Sequence, residues 1–114
     1  MKDDETKYSI EEVVSFCHTC EIKIVERVKT WGFLHETGKY AEDIISEIRQ
    51  LRVENSCADP ELDYGINRKG FVYQFRKLVF DTYWCYIKVK IKIDNFKIVA
   101  VLSFHEEDTN YGVH

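Results

Sequence analysis

The sequence predicts an α+β domain, with N-terminal helices packed on a C-terminal antiparallel sheet of three to four strands. Three observations lead there. Apolar residues recur at helical spacing through the first half of the chain. From Phe71 onward they alternate with polar ones. The stretch from Tyr83 to Glu107 holds two such runs around a polar turn at Asp94-Asn95. A chain of 114 residues, 45% hydrophobic and 14% aromatic, suits one domain with its own core.

Residues 1–8 are polar and expected to fray. Ser9-Ile10-Glu11-Glu12 fits a capping box, with Ser9 as N-cap and Glu12 reaching back. Ile10, Val13, Val14 and Cys17 then form one stripe, so a helix should run to about Thr19. Ile22 to Val25 reads as a short strand or an extended link. Lys29 to Thr37 reads as a second helix, with Trp31, Phe33 and Leu34 buried and Gly38 as its stop. Tyr40 to Leu51 is a third. Its stripe is Tyr40, Ala41, Ile44, Ile45, Ile48 and Leu51, with Glu42, Asp43, Glu47 and Arg49 outside.

Glu54 to Gly70 breaks both periods and contains the sole proline, Pro60. Connections of this length often carry function. Phe71 to Leu78 alternates again, pairing with the Tyr83 strand through a turn near Phe80-Asp81. From Trp84 to Ile93, Cys85, Ile87, Val89, Ile91 and Ile93 face one way, and Trp84, Tyr86, Lys88, Lys90 and Lys92 the other. Phe96 to His105 is apolar on both faces and belongs away from the sheet edge. The tail from Asp108 to His114 is assigned no structure.

Charge and cysteines narrow the function classes. Residues 1–63 carry 8 Lys/Arg and 15 Asp/Glu, whereas residues 64–114 carry 8 and 5, so the basic half is the strand half. A local basic patch can hold nucleic acid while the whole chain stays acidic. The bland reading is a solvated strand face protected by lysines. No apolar run reaches the ~20 residues of a membrane span. The acidic start lacks the apolar core of a secretory signal, so a cytoplasmic chain without membrane partners is expected. Cys17, Cys20, Cys57 and Cys85 are expected reduced. Cys17-His18-Thr19-Cys20 has no second ligand pair for zinc and no preceding strand for thioredoxin-like chemistry. Packing thiols are expected, with no metal and no cofactor.

The candidate site follows from register. With Asp94-Asn95 as a two-residue hairpin loop, Ile93 faces Phe96. Tyr86 then meets Ser103, Lys88 meets Val101 and Trp84 meets His105. Ile87, Val89, Ala100 and Leu102 share the core face. One surface thus carries a phenol, an ammonium, a hydroxyl and an imidazole. Such a set can move protons and stabilise charge at a phosphate. It is equally what a solvated outer face with an incidental histidine looks like.

The segments G-FVYQF, YIKVKI and KIVAVLSFHEE resemble the MqsR family of bacterial toxins, small RelE-like ribonucleases that cut messenger RNA. The resemblance spans about residues 9–107. It is most specific at Tyr86-Ile87-Lys88 and Ser103-Phe104-His105-Glu106, and weaker at Lys29, Leu51 and Asp59-Pro60-Glu61. Gly70 stands where some members carry a glutamine, and His105 where some carry a lysine. The resemblance implies a metal-independent endoribonuclease of single-stranded RNA, neutralised by a cognate antitoxin. His105 and Tyr86 would move the protons and Lys88 would clamp the phosphate. Lys29, Arg76, Ser103 and Lys90 would make further RNA contacts. Two other classes fit the residues: a noncatalytic RNA- or protein-binding regulator, and a small zinc protein built on Cys17 and Cys20.

Overall fold

A computed structural model describes residues 6–63 and 69–107. The order of elements is α1 (Ile10–Thr19), β1 (Glu21–Ile24), α2 (Val28–Thr37), α3 (Ala41–Ile48), a 3₁₀ turn (Val53–Asn55), β2 (Glu61–Leu62), β3 (Phe71–Val79), β4 (Tyr83–Asp94) and β5 (Phe96–Glu106). The class is α+β, and the sheet corrects the expected three to four antiparallel strands. It has five, in the order β1-β5-β4-β3-β2, and β1 runs parallel to β5. The four-residue β1 is too short to declare a period, and its partner lies 77 positions further along the chain, Glu21 against Ile98. β5 accordingly has a neighbour on each side, which places it away from the sheet edge as its apolar character suggested.

The helices form where their caps and stripes direct. Ser9 and Glu12 close the capping box on α1. Gly38 ends α2 at φ 69, a left-handed conformation that glycine adopts at no steric cost. The Cys17–Cys20 motif is the last turn and cap of α1. Arg49 donates to the carbonyls of Cys17 (3.2 Å) and Cys20 (2.6 Å), and His18 Nε2 donates to the Leu51 carbonyl at 2.7 Å. Burial pushes the Cys17 thiol up to about 12. Among the described residues no cluster of His, Cys, Asp and Glu is arranged to hold a metal ion. No helix among them is long and apolar enough to cross a membrane.

One core joins the helices to one face of the sheet. Val13, Val14, Phe33, Leu34, Ile44 and Ile48 meet Tyr73, Phe75, Ile87, Val89, Val101 and Phe104. Three expectations change here. Tyr8 is buried rather than frayed, and its N–H donates to the Tyr73 hydroxyl at 2.7 Å. Residues 1–5 and the tail lie outside the described residues, as does 64–68 of the long connection. Trp31 is 43% exposed rather than buried. Glu47 is buried rather than outside, because it accepts from Lys77 on β3 at 2.7 Å. Between β3 and β4, Phe80 and Asp81 take φ values of 51 and 58. A phenylalanine there is unusual. Its ring stacks on Phe33 and packs on Phe104, which holds the turn in place.

The hairpin register differs from the two-residue loop. Asp94 pairs with Phe96 and Asn95 alone turns the chain at φ 67. That shifts every pair by one, so Val89 faces Val101 and Ile91 faces Val99. A bulge then shifts the register again: Val89 pairs with Val101, Lys88 pairs with Ser103, and Leu102 is left without a partner on β4. Beyond it, Ile87 faces Phe104 and Tyr86 faces His105. Ala100 and Leu102 therefore do not share the core face with Ile87 and Val89. Ala100 pairs with Lys90 on the opposite side.

Candidate active site

The outer sheet face is ordered in rows across β3, β4 and β5. Alternation turns every second residue outward, and the register aligns the rows. One row is Arg76, Tyr86 and His105; the next is Gln74, Lys88 and Ser103. Neighbouring rows lie about 7 Å apart along the strands. Tyr86 thus stands directly across from His105, rather than from Ser103 as the loop reading implied. The bulge at Leu102 is what returns Ser103 and His105 to the outer face after the turn has displaced them.

These two rows line a cleft of about 550 Å³, together with Lys29 and Cys57. Its lining contains four basic or titratable nitrogen groups, Lys29, Arg76, Lys88 and His105, and no carboxylate. Lys29 reaches it because α2 is fastened to β5 next to the site: Thr30 is buried, and its hydroxyl accepts the Phe104 N–H at 3.3 Å. The first turn of α2 carries no acidic residue, so its positive N-terminal end is not offset there. A second cleft of about 450 Å³ shares Lys29, Gln74, Lys88 and Ser103 with the first and extends toward Leu62 and Asp63.

The histidine is oriented by its own strand. His105 Nδ1 lies 3.0 Å from the Glu106 carbonyl. A carbonyl only accepts, so the neutral ring carries its proton on Nδ1 and its lone pair on Nε2. Tyr86 and Lys88 are exposed beside it. Arg76 is held instead: its guanidinium forks onto the Glu107 carboxylate and lies over the Trp84 ring, 4.1 Å from the centroid. The Glu107 carboxylate raises the Arg76 pKa further above its ordinary value.

Six of the seven residues singled out from the sequence meet in this cleft: His105, Tyr86, Lys88, Ser103, Arg76 and Lys29. The seventh, Lys90, does not. It is 5% exposed, and its ammonium donates to Asp63 at 3.0 Å. Its outward position in the alternation is real, but Asp63, next to β2, closes over that end of the sheet. Asp63 is brought over Lys90 by its N–H bond to the Gly70 carbonyl at 2.9 Å. Gly70 itself sits at φ 89, where a glutamine would be strained.

Gln74 and Cys57 were missed. Gln74 was readable, since it lies between Val72 and Arg76 on the polar side of β3 and pairs with Lys88. Cys57 carries no sequence signal. It arrives because its N–H donates to the Gln74 carbonyl at 3.1 Å, while Ser56 bridges to Phe75. Partial burial raises the Cys57 thiol above its ordinary value. Comparisons with protein-family models, curated proteins and solved structures find no match for this chain.

Proposed function

We propose that this chain is a metal-independent endoribonuclease of single-stranded RNA, an MqsR-like and RelE-like toxin whose protein partner is a cognate antitoxin. The observation that carries the reading is the pair Tyr86–His105, face to face across two strands, with Lys88 and Ser103 in the adjoining row. His105 Nε2 takes the 2′-hydroxyl proton. The 2′ oxygen bonds to the neighbouring phosphorus and the bond to the 5′ oxygen breaks. The Tyr86 hydroxyl delivers a proton to that leaving oxygen and is reprotonated from the imidazolium opposite. Lys88 stabilises the charge gathering on the phosphate oxygens, and Ser103 donates a hydrogen bond beside it. Products are a 2′,3′-cyclic phosphate and a free 5′-hydroxyl. Single strands suit the reaction because their flexible backbone can reach in-line geometry. Lys29 adds attraction for the strand; Arg76, already paired with Glu107, is a weaker phosphate ligand than its charge suggests.

The test is a fluorescent RNA oligonucleotide incubated with the chain in EDTA, beside a DNA oligonucleotide of the same sequence. RNA cleavage with cyclic-phosphate ends and intact DNA is the expected result. Cleavage abolished by EDTA refutes the mechanism. Tight association with a partner protein and no cleavage in any buffer assigns the chain to the noncatalytic binding class.

A further inference from the structure

Next to the Arg76–Tyr86–His105 row lies a row that the proposed chemistry does not use: Leu78 on β3 and Trp84 on β4. Both are large apolar side chains on the polar side of the sheet, 40% and 45% exposed. Lone exposed apolar groups need no explanation, but two adjoining ones beside a cationic cleft do. Trp84 is also fixed in place. The Arg76 guanidinium lies over its ring at 4.1 Å, and Glu107 grips that guanidinium through two of its nitrogens. The backbone N–H of Glu107 donates to the Trp84 carbonyl at 2.9 Å, so the three residues form a closed unit. Arg76 is thereby engaged edge-on by a carboxylate and face-on by an indole. Trp84 in turn lines a separate cleft of about 620 Å³ with Leu78, Gln50 and Asn55.

We propose that Trp84, propped by Arg76 and Glu107, is a stacking platform for a nucleobase of the single strand that crosses the cleft. The platform stands one row, about 7 Å, from Tyr86, so its base belongs to a nucleotide flanking the one that reacts. Indole offers every base the same flat, polarisable surface, so the subsite adds affinity without choosing among bases. Arg76 acts here as a positioning residue. This extends the ribonuclease reading, on which it rests only for the identity of the strand.

The experiment uses the full chain with Trp31→Phe, which leaves Trp84 as the single tryptophan, and an oligothymidylate that cannot be cleaved. Binding should quench Trp84 emission. Trp84→Ala should weaken binding about tenfold and Trp84→Phe much less, the usual scale for one stacked base. Glu107→Ala, which frees Arg76, should reduce the quenching. Binding without quenching, equal binding by Trp84→Ala, or no binding at all overturns the platform. The two readings separate in the RNA assay. Cleavage with no role for Trp84 overturns the platform alone; quenching by the oligonucleotide without RNA cleavage overturns the ribonuclease and leaves the platform standing.

Discussion

Lys88 and Lys90 sit two residues apart on one face of one strand, yet the two ends of that face treat them in opposite ways. Lys88 is exposed in a cleft beside Tyr86, Ser103 and His105. Lys90 is buried under the β2 end and holds Asp63 at 3.0 Å. A cation serves a ligand only while it has not already found a carboxylate. The Lys90 ammonium is consumed by Asp63, just beyond β2; the Lys88 ammonium is open to a phosphate. The same contrast recurs inside the cleft, where Arg76 is claimed by Glu107 and its neighbour Tyr86 is not.

The sharpest way to break the comparison is to remove the open end's chemistry. His105→Ala should lower the RNA cleavage rate by roughly 10²–10⁴-fold, the usual worth of general acid–base catalysis. Its urea midpoint should move little, because His105 is only part-buried. Lys88→Ala should fall by a comparable order if its charge stabilises the transition state, again with a stability change below about 0.5 kcal/mol. Cleavage as fast as wild type in both variants places the chemistry elsewhere.

The covered end should behave in reverse. Lys90→Ala leaves the Asp63 carboxylate part-buried without its ammonium, at a cost of about 2–3 kcal/mol in a denaturant titration. RNA cleavage by the folded fraction should be nearly unchanged. Asp63→Asn combined with Lys90→Met should recover much of the loss, since replacing both partners by neutral side chains removes the buried charge left uncompensated when Lys90 alone is changed. A Lys90→Ala chain as stable as wild type, but weaker toward RNA, would put Lys90 among the RNA contacts after all.

A smaller effect separates the two sheet faces. Cys85 is fully buried on the core side, and burial pushes its thiol up to about 12, as it does for Cys17. In the unfolded chain these thiols ionise near the ordinary 9.0. The folded value is the higher one, so the contribution is complete below about pH 9 and is lost as pH rises from there toward 12. The unfolding free energy from urea titrations should therefore drop between pH 8.5 and pH 10.5 by about 1 kcal/mol or more. The drop should shrink in a Cys17→Ala, Cys85→Ala double variant. Cys57, exposed at the cleft, should be alkylated in the native protein while Cys85 is not; equal labelling of both would contradict the burial of the β4 core face.

Much of the site was legible because alternation is a local property. Tyr86 and Lys88 share a face whatever the rest of the chain does. Ser103 and His105 also share a face, being two apart. What joins the two pairs is register, and the two-residue loop reading of Asp94-Asn95 misassigned it. The outward placement was reached only because two shifts cancel in parity: one residue at the Asn95 turn, another at Leu102. No propensity marks Leu102 as a bulge, so the Tyr86–His105 opposition was not derivable from spacing.

By itself the sequence determined the elements whose causes are local. The capping box at Ser9, the glycine stop at Gly38, the alternation along β3 and β4, and the apolar doubling of β5 each act within one turn or one strand. Tertiary structure decided everything that needed a partner distant in the chain. It set β1 parallel against β5, folded Asp63 over Lys90, carried Cys57 and Lys29 to the cleft, and tied Arg76 to Glu107 and Trp84. The physical reason is that a side chain's type fixes which interactions it can make, whereas its availability depends on which other groups the fold brings within about 3–4 Å of it.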